Sequence, residues 1–175
     1  MSYERFRSSI TDPALIAVVT HWNEARSGRM MPAWRDIDPA SIKEHLPKIW
    51  AWRWEPALGT FIGRLAGEEI TALLGKNNRG KRMEECFRPD VYDVLYARFK
   101  RVTDEPALMH SYGRVYAIDG RDGPGERIVL PLATDGKHGD GIIGATAYQL
   151  GARPTTSGKT AVDHHEEFID FVPLA

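Results

Sequence analysis

Apolar positions follow two rhythms along this chain, one helical and one alternating. Asp12-Pro13 reads as an N-cap followed by a first-turn proline. Leu15, Val18, Val19 and Trp22 then recur at helical spacing until Ser27-Gly28 stops the pattern. Asp38-Pro39 repeats the cap-and-proline device ahead of Ile42, His45 and Leu46, and Leu46-Pro47 ends a second, shorter helix. The strongest helical pattern starts at Pro89, where Val91, Val94, Leu95, Phe99 and Val102 follow the i, i+3, i+4 rule and Tyr92 and Tyr96 widen the stripe. Thr103-Asp104-Glu105-Pro106 closes it.

Alternation begins at Lys48. Trp50, Trp52 and Trp54 share one face of a strand, and Ile49, Ala51 and Arg53 share the other. After a turn at Glu55 to Gly59, a second strand places Phe61, Gly63 and Leu65 on one side and Ile62, Arg64 and Ala66 on the other. Gly67 then pivots into a short helix with Glu68 and Glu69 in its first turn, Ile70, Leu73 and Leu74 as its buried stripe, and Gly75 as its left-handed stop. A helical turn is expected from Met83 to Phe87. Three more strands are predicted over Met109 to Ile118, Arg127 to Thr134 and Gly141 to Leu150, joined through turns at Asp119 to Gly125 and Asp135 to Asp140. The last two are apolar on both sides, so both sheet faces should be covered: one by the central helices, the other by the N-terminal helix, with a second subunit as further cover. Pro131 inside such a strand predicts a bulge. The tail from Ala152 ends in Phe168-Ile169-Asp170-Phe171-Val172 and is expected to pack as a short helix or to stay mobile.

Composition narrows the partners. The 175 residues carry a net charge of -1, which recruits neither nucleic acid nor an anionic membrane. The basic run of Lys76, Arg79, Lys81, Arg82 and Arg88 is offset by Glu84 and Glu85 and reads as a solvated loop, with nucleic-acid binding as its distant alternative. A single cysteine, Cys86, excludes an internal disulfide and suits the cytoplasm; with no histidine close in sequence it reads as buried rather than reactive. No signal peptide opens the sequence and no run approaches a membrane span.

Catalytic motifs fail on their spacing. Ser157-Gly158-Lys159-Thr160 is similar to the end of a phosphate loop, but Arg153 occupies the position of the required glycine. His165-Glu166 starts a zinc-protease pattern, but Ile169 stands where the second histidine belongs, and the adjacent His164 and His165 diverge on helix or strand alike. No metal site is expected.

The order of elements, together with Asp38-Pro39, Leu46-Pro47, the Phe61 to Gly67 stretch and Arg127-Ile128-Val129-Leu130-Pro131-Leu132, resembles a PAS domain, specifically a bacterial family of small single-domain PAS-type proteins. The resemblance spans about Gly28 to Leu150. It implies an α+β fold: a five-stranded antiparallel sheet with helices on one face and the N-terminal helix over the other. Residues 1–27 become an N-terminal helical extension, 28–151 the PAS-like domain and 152–175 a C-terminal tail. The function implied is sensory or associative and non-catalytic, as a cytoplasmic homodimer or with another signalling protein. No cofactor is expected. Haem-binding relatives need an axial ligand, commonly a histidine on the long helix, and Pro89 to Val102 has none; Cys86 lies in a Glu-Glu-Cys-Phe setting unsuited to covalent flavin attachment.

Inside a PAS cup, Phe61, Leu65, Leu73, Phe87, Tyr96, Phe99, Tyr112, Leu130 and Leu132 line a candidate pocket for a small apolar ligand, and the same residues equally make a filled core. Arg64 is either a structural ion pair, to Glu68, Glu69 or a tail acid, or the binder of a ligand carboxylate. Leu15, Val18, Val19, Trp22, Trp50 and Trp52 are candidates for an interface. Trp22 either meets the Trp50, Trp52 and Trp54 face, seating the helix on the sheet, or joins a dimer contact. The alternative reading is a small α+β barrel enzyme or carrier, with His110, Tyr112 and Arg114 converging in an open cavity.

Overall fold

The structure is a computed structural model and describes residues 2–118, 121–148 and 167–174. The Ser157 to Thr160 segment and His164 and His165 lie outside the described residues. Two helices open the chain, α1 (Ser2–Ser9) and α2 (Pro13–Ala25), followed by 3-10 segments at Trp34–Asp36 and Pro39–Lys48. The remaining order is β1 (Ile49–Glu55), β2 (Thr60–Ala66), α3 (Glu68–Leu74), α4 (Met83–Cys86), α5 (Pro89–Asp104), β3 (Ala107–Ile118), β4 (Arg121–Leu132), β5 (Gly141–Tyr148) and β6 (Glu167–Pro173).

The local signals act as their chemistry dictates. The Asp12 carboxylate accepts the backbone N–H groups of Ala14 and Leu15, and Ser27 and Gly28 turn the chain out of α2 with positive φ. Asp38 caps its 3-10 segment through the N–H of Ala40, and Gly75 ends α3 in the left-handed region. Gly67 has a separate reason to be glycine: a Cβ there would overlap the carbonyl oxygens of Leu46 and Pro47, where the 3-10 segment crosses the start of α3. Helix α1 was not predicted, since Tyr3 and Phe6 are too few apolar residues to make a stripe.

All strand pairs are antiparallel, in the order β2-β1-β5-β4-β3-β6. The sheet therefore has six strands rather than five. The extra one comes from the tail, expected as helix or mobile chain; Glu167–Pro173 instead pairs with Ala107 to Gly113 and closes the open edge of β3. Its side chains alternate, Ile169 and Phe171 packing toward α5 and Val172 toward the N-terminal helices. The turn expected over Asp119 to Gly125 is shorter than predicted, because Arg121 to Gly125 already belong to the ladder with β3.

Two backbone expectations change. Pro131 makes no bulge: it pairs in register with Ile142, and its carbonyl accepts the indole N–H of Trp22 at 2.9 Å. A central strand tolerates proline here because β3 pairing stops at Met109↔Val129, so no ladder partner waits for the missing donor. A bulge sits in β2 instead, besides the register shift between Arg114 and Tyr116 of β3. Ala51 pairs with Leu65 and Trp52 with Gly63, which leaves Arg64 as the extra residue. That insertion resets the alternation, so Leu65 packs with the N-terminal helices and Ala66 with the central ones, the reverse of the predicted faces.

The sheet separates two apolar layers, as its two-sided pattern predicts. On one face Leu15, Val18, Val19 and Trp22 of α2, with Phe6 of α1, cover Ile49, Leu108, Ile128, Leu130 and Ile143. On the other, α3 to α5 cover Trp50, Trp52, Phe61, Met109, Val129 and Ile142. Each fully buried side chain of this size stabilises the fold by roughly 1.5–3 kcal/mol relative to its exposed state.

Candidate functional site

A binding cup, if the chain has one, lies between the sheet and α3 to α5, and aromatic rings occupy that space. Trp50 stacks on Phe99 with ring centroids 5.2 Å apart, and its indole N–H donates to the Thr146 hydroxyl at 2.9 Å. Phe61 meets Trp54, Tyr96 and Phe99 edge-on at 5.1, 6.1 and 6.1 Å, and Trp52 lies 6.0 Å from Phe87. These are ordinary aromatic contact distances, so the rings fill one another's space.

The ten pocket candidates do not converge. Phe61, Phe87, Tyr96 and Phe99 belong to this aromatic layer, with Leu73 half-buried on α3. Leu65, Leu130 and Leu132 lie on the opposite face of the sheet: the bulge at Arg64 turns Leu65 over, and strand alternation puts Val129 rather than Leu130 and Leu132 toward the cup. Tyr112 is 51% exposed. Arg64 pairs with neither Glu68 nor Glu69; its guanidinium carbon stands 4.5 Å from the centre of the Trp34 ring. The six interface candidates are all covered within a single chain. Trp22 and the strand tryptophans do not meet, because Trp50, Trp52 and Trp54 face α5 while Trp22 lies behind the sheet against Pro131.

The polar group that organises the N-terminal face went unnoticed in the sequence. Glu126, on β4, is 7% exposed and its carboxylate collects four hydrogen bonds. Oε1 accepts from the backbone N–H of Thr11 at 2.8 Å and bonds His110 Nε2 at 2.8 Å; Oε2 accepts from the Thr11 hydroxyl at 2.9 Å and the Asp12 N–H at 2.7 Å. Because a carboxylate only accepts, His110 Nε2 carries the hydrogen of that bond. The other ring nitrogen of His110 shares a 3.2 Å bond with the Ser9 hydroxyl. Burial pushes the Glu126 carboxyl up, but the hydrogen bonds from Thr11, Asp12 and His110 outweigh it and hold the group below the usual carboxylate range. The arrangement is a latch: the corner between α1 and α2 is tied to β3 and β4 through one buried charge. His110 and Glu126 share a sheet face on adjacent strands, but the long Gly-Pro-Gly approach to Glu126 reads as loop and hides that relation.

Beyond the latch the cover by described residues ends. Along β3, Leu108 and His110 are buried and Tyr112 is exposed, stacked on Phe168 of β6 with centroids 5.0 Å apart and planes 15° from parallel. Phe168 is 61% exposed. On the opposite face, Glu167 bridges strand and helix, accepting from Arg98 of α5 at 2.7 Å with Arg127 at 3.7 Å.

Of the polar trio expected for an enzyme or carrier, His110 and Tyr112 lie in ring contact, centroids 5.8 Å apart. His110 is engaged in the latch and Tyr112 lies on the surface, while the side chain of Arg114 is outside the described residues. Cys86 is buried, and that burial raises its thiol pKa. No helix among the described residues is long and apolar enough to cross a membrane.

Comparison with known proteins accords with this architecture. The PAS domain of BvgS from Bordetella pertussis is 17% identical and superposes with a TM-score of 0.50, covering 62% of this chain and 81% of that one. The PAS domain of an HTR-like protein from Haloarcula marismortui is also 17% identical, with a TM-score of 0.35 over 62% of this chain and 96% of that one. An RNA-binding light-oxygen-voltage receptor is 11% identical, with a TM-score of 0.38 over 58% of this chain and 29% of its own length. No curated protein sequence matches. A family model described as PAS domain matches residues 10–147, well over half of the sequence. The chain belongs to the PAS domain family.

Proposed function

We propose that this chain is a non-catalytic sensory or interaction module of the cytoplasm that signals by association, as a homodimer joined through the uncovered end of its outer sheet face. PAS domains are in general sensory modules, and His110, which the catalytic reading would need, is here engaged in the latch. The observation that carries the proposal is the stacked pair Tyr112 and Phe168, two large rings left on the surface where the N-terminal helices stop. Aromatic residues of this kind anchor protein contacts. The candidates on α2 and β1 are already buried within one chain, so association has to use other residues. Signalling by association also fits a cup packed with rings better than capture of an apolar ligand there does.

Sedimentation velocity and native mass spectrometry of the full chain test the reading. The expected result is a dimer at micromolar concentration that the double substitution Tyr112→Ser, Phe168→Ser turns into a monomer with little change in thermal midpoint. A wild-type chain that stays monomeric throughout that range refutes it.

A further inference from the structure

The bulge in β2 does more than reset the strand. Arg64, its extra residue, projects on the N-terminal side of the sheet and sits over Trp34, which the 3-10 segment brings over from the N-terminal region. Arg53 of β1 shares that face. Leu132 at the end of β4, with Thr134 and Asp140 from the following link, closes the opposite wall, and the resulting half-open cleft measures about 260 Å³.

Its charges are unevenly satisfied. Arg53 donates to Glu55 at 2.9 Å, and Asp140 accepts the backbone N–H of Thr134 at 2.9 Å. Arg64 forms no ion pair among the described residues; its guanidinium carbon lies 4.5 Å from the centre of the Trp34 ring, a cation–π contact that needs no carboxylate. Burial lowers its pKa first and the neighbouring Arg53 second, with only Asp140 opposing. Glu55 offsets Arg53, so Arg64 is the guanidinium of the lining without an ion pair among the described residues.

The geometry points to a binding site, outside the PAS cup, for a small flat molecule that carries one carboxylate on an aromatic body. The carboxylate takes the N–H edge of Arg64 in the paired geometry that guanidinium favours. The body lies against Trp34 and Leu132. One negative charge matches the single guanidinium without an ion pair, whereas a phosphate dianion would also face Asp140. The volume, just under the usual range for ligand pockets, limits the guest to about one ring system.

Benzoate is the probe, with neutral benzamide and inorganic phosphate as comparison arms, each titrated into the full chain and followed by ¹H–¹⁵N NMR. Benzoate is expected to shift the Trp34 indole N–H and the amides of Thr134 and Gly141 saturably, with a Kd of about 1 mM or below. Benzamide and phosphate leave these signals in place. Arg64→Gln weakens benzoate about tenfold or more, and Arg64→Lys only partly restores it, since lysine keeps the charge and loses the fork. Arg64 is exposed, so both variants should keep the wild-type thermal midpoint, and that is measured alongside. Equal binding of benzamide, tighter binding of phosphate, undiminished binding by Arg64→Gln, or no shift at the cleft overturns the site. None of these outcomes depends on the oligomeric state that tests the association reading.

Discussion

Replacing Glu126 by Gln tests whether the N-terminal helices are held by the latch or merely lie on an apolar face. The substitution keeps the shape of the side chain and removes its charge. Oε1 faces the N–H of Thr11 and Oε2 faces the N–H of Asp12, so whichever oxygen becomes an NH2 group meets a backbone donor. One buried N–H is left without an acceptor, at a cost of about 1–3 kcal/mol, and the surviving bonds lose the extra strength that an ionised acceptor gives them. Together these amount to about 2–3 kcal/mol. For a chain of this size that is a fall in thermal midpoint of about 4–10 °C. Urea unfolding at neutral pH should show a lower midpoint with an unchanged slope, and hydrogen exchange should show lost protection at Thr11, Asp12 and the first turn of α2 before any change in β4 and β5.

The pH profile gives a second readout. The folded pKa of Glu126 is depressed relative to its unfolded value, so its ionisation stabilises the native state above the ordinary carboxylate pKa of about 4.3, and that contribution is lost as pH falls through the folded pKa. Glu126→Gln should flatten this part of the acid limb while lowering stability at neutral pH. A loss smaller than about 0.5 kcal/mol with an unaltered acid limb would show that the carboxylate does not hold the corner.

Two further predictions concern the other face of the sheet. Gly144→Ala should destabilise by about 1–3 kcal/mol in chemical denaturation, because the new Cβ would overlap the ring of Trp50, which its stack on Phe99 and its bond to Thr146 prevent from moving aside; a neutral result would mean that Trp50 has room to shift. The Cys86 thiol, buried and raised in pKa, should react with a disulfide reagent only at the rate of unfolding, so native protein that labels within seconds would contradict its burial.

What the sequence revealed and what it concealed follow from the range of the interactions involved. Asp12-Pro13, Asp38-Pro39 and Gly75 each act within a turn of their own position, and every one does what its local chemistry predicts. The apolar runs of β4 and β5 likewise announced a sheet covered on both sides. The errors arose where a distant partner decides. Whether Arg64 is one residue too many depends on β1, and Pro131 sits in a regular strand because the pairing of β3 stops short of it, while Trp22, more than a hundred positions earlier, satisfies its carbonyl. The tail becomes a strand because β3 offers an open edge, which nothing within Phe168 to Val172 records. Of the site candidates, the α2 stripe and the β1 tryptophans kept their faces, while the pocket lost Leu65 to the bulge and Leu130 and Leu132 to the alternation of β4.

Covering both faces of a PAS sheet with its own helices has a consequence for how the domain can act. The two central surfaces are spent on the core, so contact with anything else falls to places where cover is incomplete. Among the described residues two such places stand out on the N-terminal side, and they lie toward opposite ends of the strand order: the Tyr112 and Phe168 rings at β3 and β6, and the Trp34 and Arg64 cleft beside β1 and β2. Both border the N-terminal region, which the Glu126 latch holds at one end and the bond from Trp22 to Pro131 holds nearer the middle. If a ligand at Arg64 shifts the 3-10 segment carrying Trp34, the apolar layer around α2 connects that movement to the latch next to Tyr112. Benzoate should then change the hydrogen-exchange protection of Thr11 and Asp12, and Glu126→Gln, which unties the corner from the sheet, should abolish the change while benzoate still binds. Unaltered protection in the wild-type chain at saturating benzoate would separate the two surfaces into independent sites.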